Sequence, residues 1–212
     1  MSYFDRLGFA DYSKQNALEK VHSETFYYLT HAKEAARDIA NVEFVWFSDT
    51  IIFYSADDSQ SSFRAVAGVS RSFFDELLIE RIPVRGALAF GDFYGDKASG
   101  LFFGKALVDA CKYGEKFNWL GFVLHHTALE RMAELGQPVS DLTYKRWDAE
   151  YVGKEPVVAY LAGPGSIMPL PEISGNPYLE ALEAMAADTH CESHKRKYTN
   201  TIEFLKRAAK SG

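Results

Sequence analysis

Apolar residues in this chain fall into short runs separated by polar stretches with helical spacing, the pattern of a sheet covered by helices. The first run, Met1 to Phe4, closes on Asp5 just before a turn at Gly8, and residues 10 to 40 then carry Leu18, Val21, Phe26, Leu29 and Ile39 at roughly helical intervals. A second run, Phe44 to Tyr54, is interrupted by Ser48, Asp49 and Thr50, with a strand from Thr50 to Ser55. A crossover helix over 10–40 predicts that this second strand lies beside the first.

After a polar break at 57–60, helical spacing runs from Ser61 to Glu80. Pro83 opens the run from Val84 to Tyr94, which reads as a central strand turning into a hairpin at Gly95-Asp96. Lys105 to Phe117 reads as a helix facing the sheet through Ala106, Val108 or Ala110, and Tyr113. Strands are expected at Leu120–Leu124, near Leu142–Tyr144 and at Pro156–Leu161, with a helix at Ala128–Leu135. Gly163-Pro164-Gly165 and Pro169–Pro171 mark a loop, followed by helices at Pro177–Ala187 and His194–Ala209. In the last helix Tyr198, Ile202 and Leu205 share one face, while Lys195, Arg196, Lys197, Lys206, Arg207 and Lys210 lie mostly on the other, which reads as a solvated basic face.

The resulting order, β-α-β-β-α-β with a further α-β excursion, predicts an α+β, ferredoxin-like (palm-type) fold with a mixed, mainly antiparallel sheet and C-terminal helices. Residues 1–165 are expected to form the main α+β unit and 166–212 a loop and helical extension of it.

At 212 residues, 47% hydrophobic, the chain can bury a sizeable core. Its net charge of −6 speaks against direct nucleic-acid binding, which calls for a basic stripe. No apolar run approaches the roughly 20 residues that span a bilayer, and the first strand starting at the initiator Met leaves no room for a signal peptide. A cytoplasmic, membrane-free protein is expected. In that reducing setting Cys111 and Cys191 are not expected to pair, and His190-Cys191-Glu-Ser-His194 lacks the further ligands a zinc site needs.

The candidate chemistry lies in two carboxylates, Asp5 and Asp49, 44 residues apart and each at the end of an apolar run. Each alone also fits a helix cap or a hairpin turn. As a pair at neighbouring strand ends they are hard oxygen ligands suited to Mg²⁺ or Mn²⁺.

Phe4-Asp5-Arg6-Leu7-Gly8-Phe9, Phe47-Ser48-Asp49, Val84–Gly91 and Phe103–Lys112, in that order, resemble the motifs of the class III nucleotidyl cyclases over residues 1 to 161. The nearest subgroup is the short pyrimidine cyclases of the bacterial Pycsar anti-phage system. This resemblance implies that Asp5, Asp49 and the Arg6 carbonyl hold two Mg²⁺ or Mn²⁺ ions. It implies that Leu7, Gly8 and Phe9 cradle the triphosphate, with Lys154 at the place of a triphosphate lysine. Val45 and Leu101 stand where purine cyclases carry polar base-reading residues, which implies a pyrimidine triphosphate, UTP favoured over CTP. The family's transition-state Asn falls on Val108 and its Arg on Lys112, the candidate catalytic cation. The implied reaction is attack of the ribose 3′-oxygen on the α-phosphorus, giving 3′,5′-cyclic UMP and pyrophosphate. A homodimer with shared active sites and a cyclic-nucleotide-responsive effector are the implied partners. Val108 and Lys112 keep open a non-catalytic, nucleotide-sensing domain.

Overall fold

The computed structural model describes residues 1–36, 39, 41–137, 139, 143–162 and 176–208. Strands β1 (Ser2–Arg6), β2 (Val42–Phe47), β3 (Thr50–Ser55), β4 (Val84–Leu88), β7 (Phe122–Leu124), β8 (Tyr144–Trp147) and β9 (Val157–Tyr160) form one sheet in the order β2-β3-β1-β4-β7-β9-β8. Only β4 and β7 pair in parallel; the other contacts are antiparallel. The first four strands reproduce the expected ferredoxin-like order, and the fold is α+β with a mixed, mostly antiparallel sheet and C-terminal helices.

The crossover from β1 consists of two helices, α1 (Phe9–Gln15) and α2 (Leu18–Ala36), and it does not set β2 against β1. Instead β3 lies between them. The reason is hydrophobic: Ile51 to Tyr54 are all buried, while β2 is half-buried and carries exposed Glu43, so the return strand takes the interior position.

Helix α3 (Gln60–Ile79) starts at Ser59, whose hydroxyl accepts from the Ser62 N–H at 3.2 Å. It packs against β1, β3 and β4. There Phe4 meets Phe53 and Phe73 edge-on and lies tilted on Phe122, at centroid distances of 5.1–6.2 Å. Helix α4 (Lys105–Glu115) covers the other face. Ala106, Ala110 and Gly114 face the sheet, and a Cβ on Gly114 would sit 3.1 Å from the Gly86 carbonyl carbon, so helix and strand backbones nearly touch. Val108 points outward, 48% exposed, which decides between it and Ala110.

The expected hairpin at Gly95-Asp96 is displaced. β4 ends at Leu88, and a separate hairpin pairs β5 (Tyr94–Asp96) with β6 (Leu101–Phe103), so Gly95 and Asp96 are strand residues and the turn falls at 97–100. Helix α5 (His126–Glu134) precedes β8. The strand expected near Leu142–Tyr144 begins at Tyr144; Leu142 and both Gly/Pro segments of the 163–171 loop lie outside the described residues.

Helix α6 (Pro177–Asp188) packs on α3, and α7 (Glu192–Ala208) packs on α6 and β8. Helix α7 is integral to the core: Phe204 packs edge-on against Trp119 and Trp147, and buried Thr201 Oγ1 accepts from the Leu120 N–H at 2.8 Å. No helix among the described residues is long and apolar enough to cross a membrane.

Candidate active site

The end of β1 and the β2–β3 turn bring the two carboxylates to neighbouring strand ends. Asp5 lies opposite Thr50, and the Arg6 N–H donates to the Asp49 carbonyl at 2.9 Å. Ser48 turns the hairpin with φ 57, and its carbonyl accepts from Trp46 Nε1 at 2.7 Å. Asp49 is therefore a hairpin acid, and the register that makes it one sets it beside Asp5.

A cation occupies this site. Arg85 on β4 is the register partner of Asp5, and its Nε donates to Asp5 Oδ2 at 2.9 Å while a terminal nitrogen donates to the Glu115 carbonyl at 2.9 Å. Glu115 Oε1 accepts from the Tyr3 hydroxyl at 2.5 Å. Strand β1, strand β4 and the C-terminus of α4 are thus joined by one polar chain on the Asp5 face. Burial pushes the Asp5 carboxyl above the usual carboxylate range; Arg85 opposes this, and the charges of Glu115 and Asp49 add to it. Two adjacent acids, of which only Asp5 is paired with Arg85, leave room for further positive charge.

No group of three or more His, Cys, Asp or Glu side chains among the described residues could enclose a metal ion. Asp5 and Asp49 nevertheless fit Mg²⁺ or Mn²⁺, because such ions are commonly held by one or two carboxylates and completed by substrate phosphates and water. The Arg6 side chain is directed elsewhere: its guanidinium lies 4.7 Å from the Tyr12 ring, 5.0 Å from Tyr28 and 5.3 Å from Phe9, with Glu24 at 3.8 Å. It fastens α1 and α2 to the strand end and leaves only its carbonyl as a candidate ligand.

The glycine turn is partly committed. The Leu7 N–H donates to the Pro83 carbonyl at 2.8 Å, so Leu7 cannot offer it to a phosphate, contrary to the expectation for this residue. Gly8 adopts the left-handed conformation, φ 77, at the start of α1. Among the described residues, the amides of Gly8 and Phe9 have no backbone acceptor.

Val45 lines a groove of about 550 Å³ with Leu29, Phe44, Trp46, Phe47, Gly100, Phe102 and one charged residue, Lys97, whose ammonium lies 5.4 Å from the Phe44 ring. Leu101, on the adjoining strand β6, is 53% exposed beside it. Lys112 lies exposed in the last turn of α4, next to Cys111. Lys154 stands exposed in the loop into β9, the same loop in which the Tyr151 carbonyl accepts from the Asn118 N–H at 3.3 Å.

Sequence reasoning missed Arg85 and Lys197. The signal for Arg85 was a lone charge between Val84 and Gly86 in an apolar strand, where burial demands a partner. Lys197 departs from the expected solvated basic face. It is half-buried, and its ammonium is pushed below the ordinary lysine range by burial and then by Arg85, with Cys191 and Asp5 acting the other way.

No protein-family model matches the chain, and no curated protein does. Solved structures do. The guanylate cyclase domain of RhGC from Catenaria anguillulae, in complex with GTP, aligns over 75% of this chain and 92% of its own at 12% identity, TM-score 0.53. The guanylyl cyclase domain of the RhoGC fusion protein from Blastocladiella emersonii aligns over 76% and 94% at 11% identity, TM-score 0.56. A bacterial light-regulated adenylyl cyclase aligns over 87% of this chain and 55% of its own at 10% identity, TM-score 0.51. At such identities the likeness is one of fold: the chain has the α+β architecture of nucleotide cyclase catalytic domains.

Proposed function

We propose that this chain is a pyrimidine nucleotide cyclase that converts UTP to 3′,5′-cyclic UMP and pyrophosphate as a homodimer with shared active sites, its product a messenger for anti-phage defence. The observation that carries the reading is the juxtaposition of Asp5 and Asp49 at adjoining strand ends in a nucleotide cyclase fold. Mg²⁺ or Mn²⁺ bound there would supply Lewis-acid charge to the 3′-hydroxyl and the triphosphate.

The chain's own groups do the rest. Gly8 and Phe9 offer amide donors to phosphate oxygens, and Lys112 of a second protomer offsets charge on the α-phosphoryl group. One O–P bond forms at the ribose 3′-oxygen, the bond to the pyrophosphate oxygen breaks, and the hydroxyl proton leaves to solvent. Apolar Val45 and Leu101 offer no hydrogen bond to a purine edge, and each missing bond costs about 1–3 kcal/mol. The aromatic groove around Val45 suits the smaller base. The UTP preference, the anti-phage role and the cyclic-nucleotide-responsive effector rest on the Pycsar resemblance.

A second reading, a nucleotide-binding sensor without turnover, is favoured by one observation: Arg85 occupies Asp5 Oδ2. Purified protein incubated with each of ATP, GTP, CTP and UTP plus Mn²⁺, with products identified by mass spectrometry, separates the two. Cyclic UMP in excess supports the proposal. Cyclic AMP or cyclic GMP in excess overturns the base assignment, and bound nucleotide with no cyclic product favours the sensor.

A further inference from the structure

Glu115, the last residue of α4, is held from two directions. Its carboxylate Oε1 accepts from the Tyr3 hydroxyl at 2.5 Å and from the Cys111 thiol, one helical turn back, at 3.5 Å. Its carbonyl is one of the helix-end groups without an intrahelical partner, and it accepts from a terminal nitrogen of Arg85 at 2.9 Å. The guanidinium thus caps the negative end of the helix dipole. The same side chain donates through Nε to Asp5 Oδ2 at 2.9 Å. Gly114 lies against the backbone of Gly86, where an added Cβ would stand 3.1 Å from the carbonyl carbon, so the helix end is seated on the strand that carries Arg85.

One positive charge therefore serves two acceptors on different elements. A guanidinium can face both because its donors leave the plane of the group in a fixed fork. A divalent cation bound to Asp5 acts on one of them only: it takes over neutralisation of the carboxylate and repels the guanidinium. Asp5 and Arg85 are both mostly withdrawn from water, where such charges interact more strongly than at a surface. The cap on the Glu115 carbonyl weakens as the bridge is pushed back.

We infer that Arg85 is a positioning residue that couples occupancy of Asp5 by a divalent cation to the C-terminal turn of α4, through its bridge to the Glu115 carbonyl. That turn carries Lys112. The inference rests on the reading of Asp5 as a metal ligand and goes beyond it, because it gives the ion an effect on a helix that holds none of its ligands. In the shared-site arrangement Lys112 belongs to the second site of the dimer. An ion at one site then alters the placement of the cation at the other, and by linkage the reverse.

The test uses the full chain with Cys191→Ser as the parent, which leaves Cys111 as its single thiol, and follows alkylation of Cys111 by iodoacetamide with and without Mn²⁺ at fixed pH. Cys111 is half-buried and its thiol shares the Glu115 carboxylate, so it reports on the last turn of α4. Mn²⁺ is expected to speed labelling of the parent by about threefold or more, the size of a lost helix-end charge interaction. In Arg85→Met the cap is absent from the outset, so its metal-free rate should already match the Mn²⁺-loaded parent and rise no further. Arg85→Lys keeps a cation beside Asp5, and with it the fold, but lacks the fork that spans both acceptors; it should show the same loss of response. A Mn²⁺ effect equal in the parent and both variants is the direct field of the ion on the thiol and overturns the coupling. So does a parent whose Tm rises with Mn²⁺ while labelling of Cys111 stays constant. A parent whose Tm and labelling are both indifferent to Mn²⁺ overturns Asp5 as a metal ligand, and the coupling with it.

Discussion

Arg85 Nε donates to Asp5 Oδ2 at 2.9 Å across the β1–β4 register, so the carboxylate proposed to hold metal is neutralised by the protein itself when no ion is bound. The two partners are 16% and 15% exposed, which makes this pair far more consequential than a surface ion pair. Its position explains how two acids can stand together at a sheet end without forcing the strands apart.

Replacing Arg85 with Met leaves a mostly buried carboxylate next to Asp49 and within reach of Glu115. Losing a charge-assisted hydrogen bond at such a place is expected to lower stability by about 2 kcal/mol. Mn²⁺ should restore more stability to this variant than to the wild type, because the ion takes over the charge that Arg85 supplied. Thermal melts with and without Mn²⁺ measure both quantities. An Mn²⁺-induced increase in Tm no larger than that of the wild type would count against Asp5 as a metal ligand.

Asp5→Asn and Asp49→Asn are each expected to abolish cyclic product while the chain stays folded. For Asp5 the pH dependence has a definite sign. Its folded carboxyl is raised, chiefly by burial, so the native state takes up a proton more readily than the unfolded chain. Its contribution is favourable below the ordinary carboxylate range and is lost as pH rises through the raised folded value. Without metal, Asp5→Asn should therefore show a flatter stability profile from about pH 4 to neutrality. Chemical denaturation across that range reads the slope, and a steeper profile in Asp5→Asn would contradict the assignment.

Much of this arrangement was legible in the sequence because it depends on local pattern. The strand ending at Asp5, the hairpin acid Asp49 and the helix at Lys105–Glu115 each announce themselves through short apolar runs, a polar turn or helical spacing. The order of strands was legible only in outline. That β3 rather than β2 adjoins β1 follows from which half of the hairpin buries more apolar surface, a comparison between Ile51–Tyr54 and Val42–Phe47. Lys197 was not legible. Helical spacing puts it near the basic face of α7, and only docking of that helix on Trp119 and Leu120 leaves it half-buried.

His125 provides a test of acid sensitivity away from the carboxylates. It is 8% exposed, its Nδ1 lies 3.0 Å from Thr127 Oγ1, and that oxygen accepts from the Phe90 N–H at 3.0 Å. Burial holds the imidazole below the ordinary histidine range; His126 and Lys105 act in the same sense, while Asp109 and Glu130 oppose. A depressed folded value means that its stabilising contribution is present above about pH 6.5 and is lost as pH falls through the folded value. His194 is shifted in the same direction, so His125→Gln should remove part of the acid destabilisation between about pH 6.5 and 5. An unchanged profile for His125→Gln would show that His125 titrates as it does in the unfolded chain.

Shared sites make a sharper demand than activity alone. Phe47 is 79% exposed at the hairpin tip beside Asp49, and Leu101, Phe103 and Val108 are 53%, 57% and 48% exposed on β6 and α4. Large apolar side chains left in water on two parts of the molecule supply a surface for a second copy of the chain. If one protomer provides Asp5 and Asp49 while its partner provides Lys112, the inactive variants Asp49→Ala and Lys112→Ala should complement when mixed. Random exchange puts half the chains into mixed dimers with one intact site out of two, so activity should return to about a quarter of the wild-type level. Phe103→Lys introduced into both variants should abolish that recovery and shift the light-scattering mass toward the monomer, because a buried unpaired ammonium opposes the interface. Mixed dimers that form but stay inactive would rule out the shared site and place Lys112 outside the chemistry.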